Sequence, residues 1–235
     1  DSPVCGSFGK PAREWLNELA AFGIGVWQFL PLAPTDSFGS PYSSPSSFAL
    51  NPWFLDQNDL VRDGFLANNL EDFSSANDCF KNRVDFHLAN SKVKSLRFSL
   101  VDDWYKQNRT IQEEFEIWCS KQFWLDDHSI FMELKIQNND LPWWEWPDEY
   151  AGRDKKELEN WKKNNQRELL GHKLLQWHLD RQWQSIRELA KNLGIYLFGD
   201  VPFYVSKDSA DVWSNRSLFS ILTNSNTYIQ SGVPP

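Results

Sequence analysis

The strongest constraint on this chain is a plan that it runs through twice: an amphipathic helix, a glycine, a short apolar run, and a proline-marked loop. In the first copy Pro11 sits where a first helical turn tolerates proline, and Trp15, Leu16, Leu19 and Phe22 follow at helical spacing. Gly23 is a left-handed terminator, and residues 24–32 form an apolar run that ends at Pro31 and Pro34. In the second copy Leu175, Leu179, Trp183, Ile186, Ala190 and Leu193 recur every three or four residues, which marks one buried stripe on a long helix. Gly194 follows it, then a second apolar run over 195–205 with Pro202 inside it. Short apolar runs bounded by Gly and Pro read as strands buried on both faces. Helix and buried strand in alternation predict a parallel α/β protein.

The 235 residues carry a net charge of −8. That acidic balance argues against nucleic acid as a partner, since a phosphate backbone recruits basic stripes. No stretch reaches the ~20 apolar residues that cross a bilayer, and no signal peptide is visible at the N-terminus. Cys5, Cys79 and Cys119 are odd in number and show no CxxC spacing, which fits reduced thiols in the cytoplasm better than a disulfide frame or a zinc site. The 13 tryptophans serve either core filling or stacking on flat apolar ligand faces, such as those of sugar rings.

Between the two copies the texture changes. Helical patterns appear around 92–125 and 153–170, with room for one or two further strands near 125–135. Trp143, Trp144 and Trp146 lie between Pro142 and Pro147, a rigid aromatic loop. Three segments follow: 1–60 with the first strand and its loop, a mostly helical insertion over 61–168, and 169–235 with the second strand.

Candidate site residues lie just after the strands, because α/β folds build ligand sites on the loops at strand carboxyl ends. The first such loop, 34–44, is rich in hydroxyls and holds Ser40 and Tyr42; its alternative is a plain surface loop. In the second, Asp200 interrupts an apolar run, and an ionised carboxylate there needs a partner or a polar cleft. A structural salt bridge is its alternative. The histidines, His87, His128, His172 and His178, show no metal-binding spacing, and the last two read as surface groups on the long helix. Asp102-Asp103 and Asp126-Asp127 read as solvated helix ends.

Three stretches carry a resemblance. The first runs Trp27-Gln28-Phe29-Leu30-Pro31-Leu32, Pro34-Thr35, Ser40-Pro41-Tyr42, Ser47-Phe48-Ala49 and Asn51-Pro52. The second is Phe131-Met132-Glu133-Leu134-Lys135 with Trp144-Glu145-Trp146-Pro147. The third is Gly199-Asp200-Val201-Pro202-Phe203-Tyr204-Val205 with Asp208-Ser209-Ala210-Asp211-Val212-Trp213. Together with the closing Gly232-Val233-Pro234-Pro235, they resemble, in order, the signatures of amylomaltases, the 4-α-glucanotransferases of the α-amylase clan.

The resemblance implies part of a (β/α)8 TIM barrel with a mostly helical insertion, and a retaining double displacement between α-1,4-glucans. Two carboxyl groups about 5–5.5 Å apart carry such chemistry. The family's Arg-Ile-Asp-His segment with the nucleophile, its later Glu acid and its His-Asp pair have no match here. The chain therefore reads as an N-terminal portion, inactive alone. By the same resemblance Asp200 bonds hydroxyls of the sugar at the cleavage point, Tyr42 stacks beneath that sugar, and Ser40 donates a hydrogen bond from the same loop. Trp144 and Trp146 stack on a longer glucan or fill the core. Donor and acceptor maltooligosaccharides are the implied partners, with no cofactor and no metal, in the cytoplasm or, after removal of a transit peptide, a plastid. A non-catalytic glucan-binding module and a hydrolase of the same clan are the alternatives.

Overall fold

The computed structural model describes residues 6–67 and 84–221. Its elements are α1 (Lys10–Ala21), β1 (Val26–Gln28), α2 (Gln57–Arg62), α3 (Phe86–Trp104), α4 (Arg109–Ser120), α5 (Leu125–Gln137), α6 (Asp148–Ala151), α7 (Lys155–Asn164), α8 (Gln166–Asn192), β2 (Tyr196–Phe198) and α9 (Ala210–Ser214). Single 3-10 turns lie at Pro41–Ser43, Pro52–Phe54, Trp143–Glu145 and Arg216–Leu218. Side-chain caps open most helices: Asp56 accepts from Asp59 N, Asp85 from Leu88 N, Asn108 from Ile111 N, and Ser209 from Val212 N. Each satisfies an amide that the first helical turn leaves without a partner.

The repeated plan is present in three dimensions. After α1, Gly23 N donates to Ala20 O at 3.0 Å and Ile24 N to Leu19 O at 2.9 Å; after α8, Gly194 N donates to Lys191 O at 3.1 Å and Ile195 N to Ala190 O at 2.8 Å. This is the same left-handed helix stop twice, and both glycines have φ +72°. A Cβ at position 194 meets nothing within 4 Å, so the demand there is conformational rather than steric. Gly194→Ala is expected to lower stability by about 1–2 kcal/mol, read as a shifted denaturant midpoint with an unchanged slope. The strands leaving the two stops pair in parallel, Val26 opposite Tyr196, Trp27 opposite Leu197 and Gln28 opposite Phe198.

The strands differ from expectation in two ways. They are three residues each rather than spanning the whole apolar runs, and they are not buried on both faces. Trp27 and Leu197 pack against the core, whereas Val26, Tyr196 and Phe198 are 54%, 77% and 58% exposed. The apolar runs do report a two-sided environment in composition, but among the described residues only one side has a cover. The stretch near 125–135 is helix α5, not strand; Leu125, Ile130, Phe131 and Leu134 are buried along it at helical spacing. His172 and His178 are buried rather than on the surface, because the apolar stripe of α8 is broad enough to include them. Trp15 and Phe22 lie on the exposed side of α1, and Leu16 and Leu19 supply its buried side.

The chain divides into two compact units. The first comprises Asp1–Leu32, Leu50–Gln122 and Leu170–Asp200. Its core joins Leu16 and Leu19 of α1, Leu96, Leu100 and Val101 of α3, and Leu174, Leu175, Leu179, Ile186 and Ala190 of α8. Helices α3 and α8 meet closely at Gly171, where a Cβ would stand 2.6 Å from the Arg97 side chain. Two buried glutamines of α8 act as surrogate backbone. Gln176 accepts from Leu50 N and donates to Leu50 O (2.9 and 2.8 Å), and Gln182 does the same with Asp56 (2.9 and 2.9 Å). Paired donor and acceptor satisfy main-chain groups that no strand reaches.

The second unit comprises Ala33–Ala49, Phe123–Leu169 and Val201–Pro235. Its core is aromatic: Phe131, Trp143, Trp146, Trp161 and Trp213, with Leu134, Leu158 and Val212. Phe131 and Trp213 both lie against Trp146, with centroids 5.3 and 5.9 Å away, and each indole N–H has an acceptor. Cys119 is half-buried on α4. Cys5, Cys79 and the closing Gly232-Val233-Pro234-Pro235 lie outside the described residues.

Candidate functional site

The loop after β1 is built from its own polar groups. Asp36 Oδ1 accepts from Phe38 N at 2.9 Å and Ser40 N at 2.8 Å, and Gly39 makes the reversal at φ +84°. Ser40 then caps the 3-10 turn Pro41–Ser43, its Oγ accepting from Tyr42 N at 3.3 Å. Tyr42 is 44% exposed. Further on, Ser46 is buried and accepts from Phe48 N and Ala49 N, both at 3.2 Å, while Ser44 donates to Ser46 O at 2.7 Å. The hydroxyls of Ser40, Ser44 and Ser46 thus hold the backbone of this loop and of the residues after it. Within the second unit the loop is tied to α9: Ala210 N donates to Pro45 O and Ser47 N to Asp211 Oδ2, each at 2.9 Å. Burial pushes the Asp211 carboxyl above its ordinary range, and the bond from Ser47 opposes that.

The tryptophan loop belongs to the same unit and divides its three rings. Trp143 and Trp146 are core residues, with Trp146 Nε1 donating to Leu141 O at 2.9 Å. Trp146 is 4% exposed and presents no ring face to a sugar. Trp144 is half-buried, edge-on to Trp143 with centroids 5.5 Å apart, and Lys207 Nζ stands 4.1 Å from its ring centroid. An ammonium over an indole face is a favourable cation–π contact. Of the three tryptophans, only Trp144 is not fully buried.

Asp200 ends the first unit, two residues past β2, and it is exposed. The expectation that it is buried within an apolar strand does not hold, because β2 stops at Phe198. The cost of a buried carboxylate is therefore not the reason it is there. Gly199 before it lies close to Phe29, whose ring stands 3.5 Å from where a Cβ would be, and Phe29 N donates to Phe198 O at 3.0 Å. Asp200 thus sits at the carboxyl end of a strand, where α/β folds place ligand groups. Ser40, Tyr42 and Trp144 are gathered in the second unit.

Sequence reading gave no role to Lys207, Asp208 or Asp211. Asp208 and Asp211 stood in a motif already singled out, with Lys207 just before it, but their partners lie more than 60 residues away in the chain. The acid pairs are simpler: Asp127 holds Arg153 at 2.6 Å and Asp103 holds Lys106 at 2.5 Å. Among the described residues no group of three or more His, Cys, Asp and Glu has the geometry of a metal site, and no helix is long and apolar enough to cross a membrane.

Comparison with known proteins adds the lineage. A family model described as 4-alpha-glucanotransferase matches residues 2–235. The 4-alpha-glucanotransferase of Synechocystis sp. is 35% identical over 234 residues, covering 98% of this chain and 46% of that protein. The 4-alpha-glucanotransferase of Thermus thermophilus is 34% identical over 232 residues, 98% of this chain and 45% of that protein. In three dimensions, an amylomaltase from Streptococcus agalactiae in complex with acarbose matches with a TM-score of 0.86 and 26% identity, over 96% of this chain and 45% of that one. The chain thus spans a little under half the length of the relatives it matches. Since the family model matches residues 2–235, through both units, the chain belongs to the 4-alpha-glucanotransferase family.

Proposed function

We propose that the natural protein transfers α-1,4-glucan segments between maltooligosaccharides by a retaining double displacement, and that these residues contribute sugar-holding loops on part of a (β/α)8 barrel. The family match over residues 2–235 carries this reading. The open apolar face of the β1–β2 pair supports the barrel: parallel strands are ordinarily covered on both faces, and further strands with their side chains supply such a cover. In this reading Tyr42 stacks beneath the sugar at the cleavage point. The Ser40 oxygen already accepts from Tyr42 N, so its O–H proton goes to a sugar hydroxyl. Asp200 accepts hydrogen bonds from sugar hydroxyls, and Trp144 stacks on a glucose unit farther along the chain.

The transfer itself follows the chemistry of retaining glycosidases. A carboxylate attacks the anomeric carbon as an acid protonates the leaving sugar, and the 4-OH of an acceptor then displaces the enzyme with a second inversion. Transfer exchanges one glycosidic bond for another, so the number of reducing ends stays constant. Hydrolysis makes a new one at each turnover.

Maltotriose separates the possibilities. The natural protein is expected to convert it to glucose and longer maltooligosaccharides without a net rise in reducing ends, and residues 1–235 alone are expected to leave it unchanged. A rise in reducing ends that tracks turnover would establish a hydrolase. Glucan binding without turnover by the natural protein would establish a binding module. Disproportionation by residues 1–235 alone would show that the transfer machinery is contained in them.

A further inference from the structure

We propose that Asp208 and Asp211 are positioning residues that set the Tyr42 loop and the Trp144 loop in register for one glucan chain, an inference that rests on the transferase reading above. The two carboxylates are three residues apart, on either side of Ser209 at the start of α9. Each accepts a backbone N–H from a different candidate sugar-holding loop. Asp208 Oδ1 accepts from Trp143 N at 3.3 Å, and Asp211 Oδ2 accepts from Ser47 N at 2.9 Å.

Neighbouring bonds reinforce both attachments. Trp143 Nε1 donates to Lys207 O at 2.8 Å, and the Lys207 ammonium covers the Trp144 ring. Lys135 Nζ, on α5, donates to Asp208 Oδ2 at 2.5 Å. On the other side Ala210 N donates to Pro45 O at 2.9 Å. One short stretch, 207–211, therefore grips both loops by their main chains. Fixing the main chain fixes whatever side chain the loop presents, here Tyr42 or Trp144.

The bonds do more than build α9. That helix is five residues long and is already capped, by Ser209 Oγ accepting from Val212 N at 3.2 Å, and it is anchored by the fully buried Trp213. The carboxylates also bond outside that helix, Asp208 to Trp143 N and Lys135 and Asp211 to Ser47 N. Among the described residues Asp208 has a cation in Lys135, whereas no ion pair is found for Asp211. A half-buried carboxylate bonded to a loop amide without a cation is an expensive way to gain stability alone. It is a direct way to hold a loop in place, because a charged acceptor makes the stronger hydrogen bond.

The test compares Asp211→Ala, Asp211→Asn and Tyr42→Ala in the natural protein, by maltotriose kinetics and thermal melting. Asp211→Ala is expected to raise KM about tenfold, the scale of one lost charge-assisted hydrogen bond, with kcat nearly unchanged. Asp211→Asn keeps an acceptor oxygen in the same place and is expected to recover most of that loss. Should Asp211→Ala not fold, Asp211→Glu retains the charge and displaces the acceptor by one methylene, and it is expected to raise KM in the same direction. An unchanged KM in the Asp211 variants, beside a clear defect in Tyr42→Ala, overturns the positioning role and leaves the transferase reading intact. A lower melting temperature and kcat with KM unchanged also overturns it, as the mark of a purely structural residue. If Tyr42→Ala is itself without kinetic effect, the role of that loop falls, and the inference with it.

Discussion

Asp200→Asn in the natural protein is expected to lower kcat on maltotriose by about tenfold to a hundredfold while KM changes little. The residue stands exposed at the carboxyl end of β2, beside Gly199 and clear of the strand pairing. Hydrogen bonds to sugar hydroxyls strengthen as the ring distorts toward an oxocarbenium ion, and an interaction that strengthens only in the transition state appears in kcat. Exchanging carboxylate for amide keeps the shape and removes a charged acceptor, a loss of about 1.5–3 kcal/mol. Steady-state kinetics decide the matter: a raised KM with unchanged kcat would make Asp200 a ground-state binding group only.

The second large effect is on stability and comes from a buried histidine on α8. His178 is 1% exposed, set against Phe65 and Trp177 with ring centroids 4.6 and 4.7 Å away. Burial, and then the nearby Arg181 charge, hold its pKa well below the ordinary histidine value of 6.5. Arg181 donates toward His178 Nδ1 at 3.4 Å, which suits an imidazole with its proton on Nε2. The unfolded chain takes up a proton near pH 6.5 and the folded chain only at lower pH, so stability that is present above pH 6.5 is lost as pH falls below it. Linkage limits the loss to roughly 1.4 kcal/mol per pH unit for one proton, and a comparison of pH 7 with pH 5 brackets the ordinary histidine value. His178→Phe keeps an aromatic ring between Phe65 and Trp177 and should remove that increment. Denaturant melts at both pH values, run on the parent and the variant, measure it directly; equal pH dependence in the two would show that His178 does not carry it.

The local elements were legible because their causes are local. The glycine stops at 23 and 194 need only a residue that tolerates positive φ. The stripe of α8 is a periodicity that any packed helix must display, and Leu175, Leu179, Ile186 and Ala190 are all buried along it. The family was legible as well, and the family model matches residues 2–235, across both units.

What the residues do within those elements was less so. His172 and His178 read as surface groups because an imidazole is compatible with either side of a helix; Arg97 against His172 and Phe65 against His178, both from other segments, settle which side each takes. Trp144 and Trp146 are two residues apart with the same chemistry, yet one is half-buried under Lys207 and the other is packed against Phe131 and Trp213. Adjacent tryptophans in a tight turn point in different directions, and sequence spacing carries no sign for which one faces the core.

From sequence alone this protein was determined as an alternation of helix, glycine stop and apolar strand with the motifs of one enzyme family. Those features rest on backbone conformation, side-chain periodicity and inherited residue order, each contained within a short window. Only the tertiary structure decided the register of the parallel pair and left one of its faces open among the described residues. It also decided that Gln176 and Gln182 stand in for a strand, and that Asp208 and Asp211 hold loops far from them in the chain. The reason is physical: a hydrogen bond is made by the groups that folding brings within about 3 Å, and for partners distant in the chain no local pattern records which groups those will be.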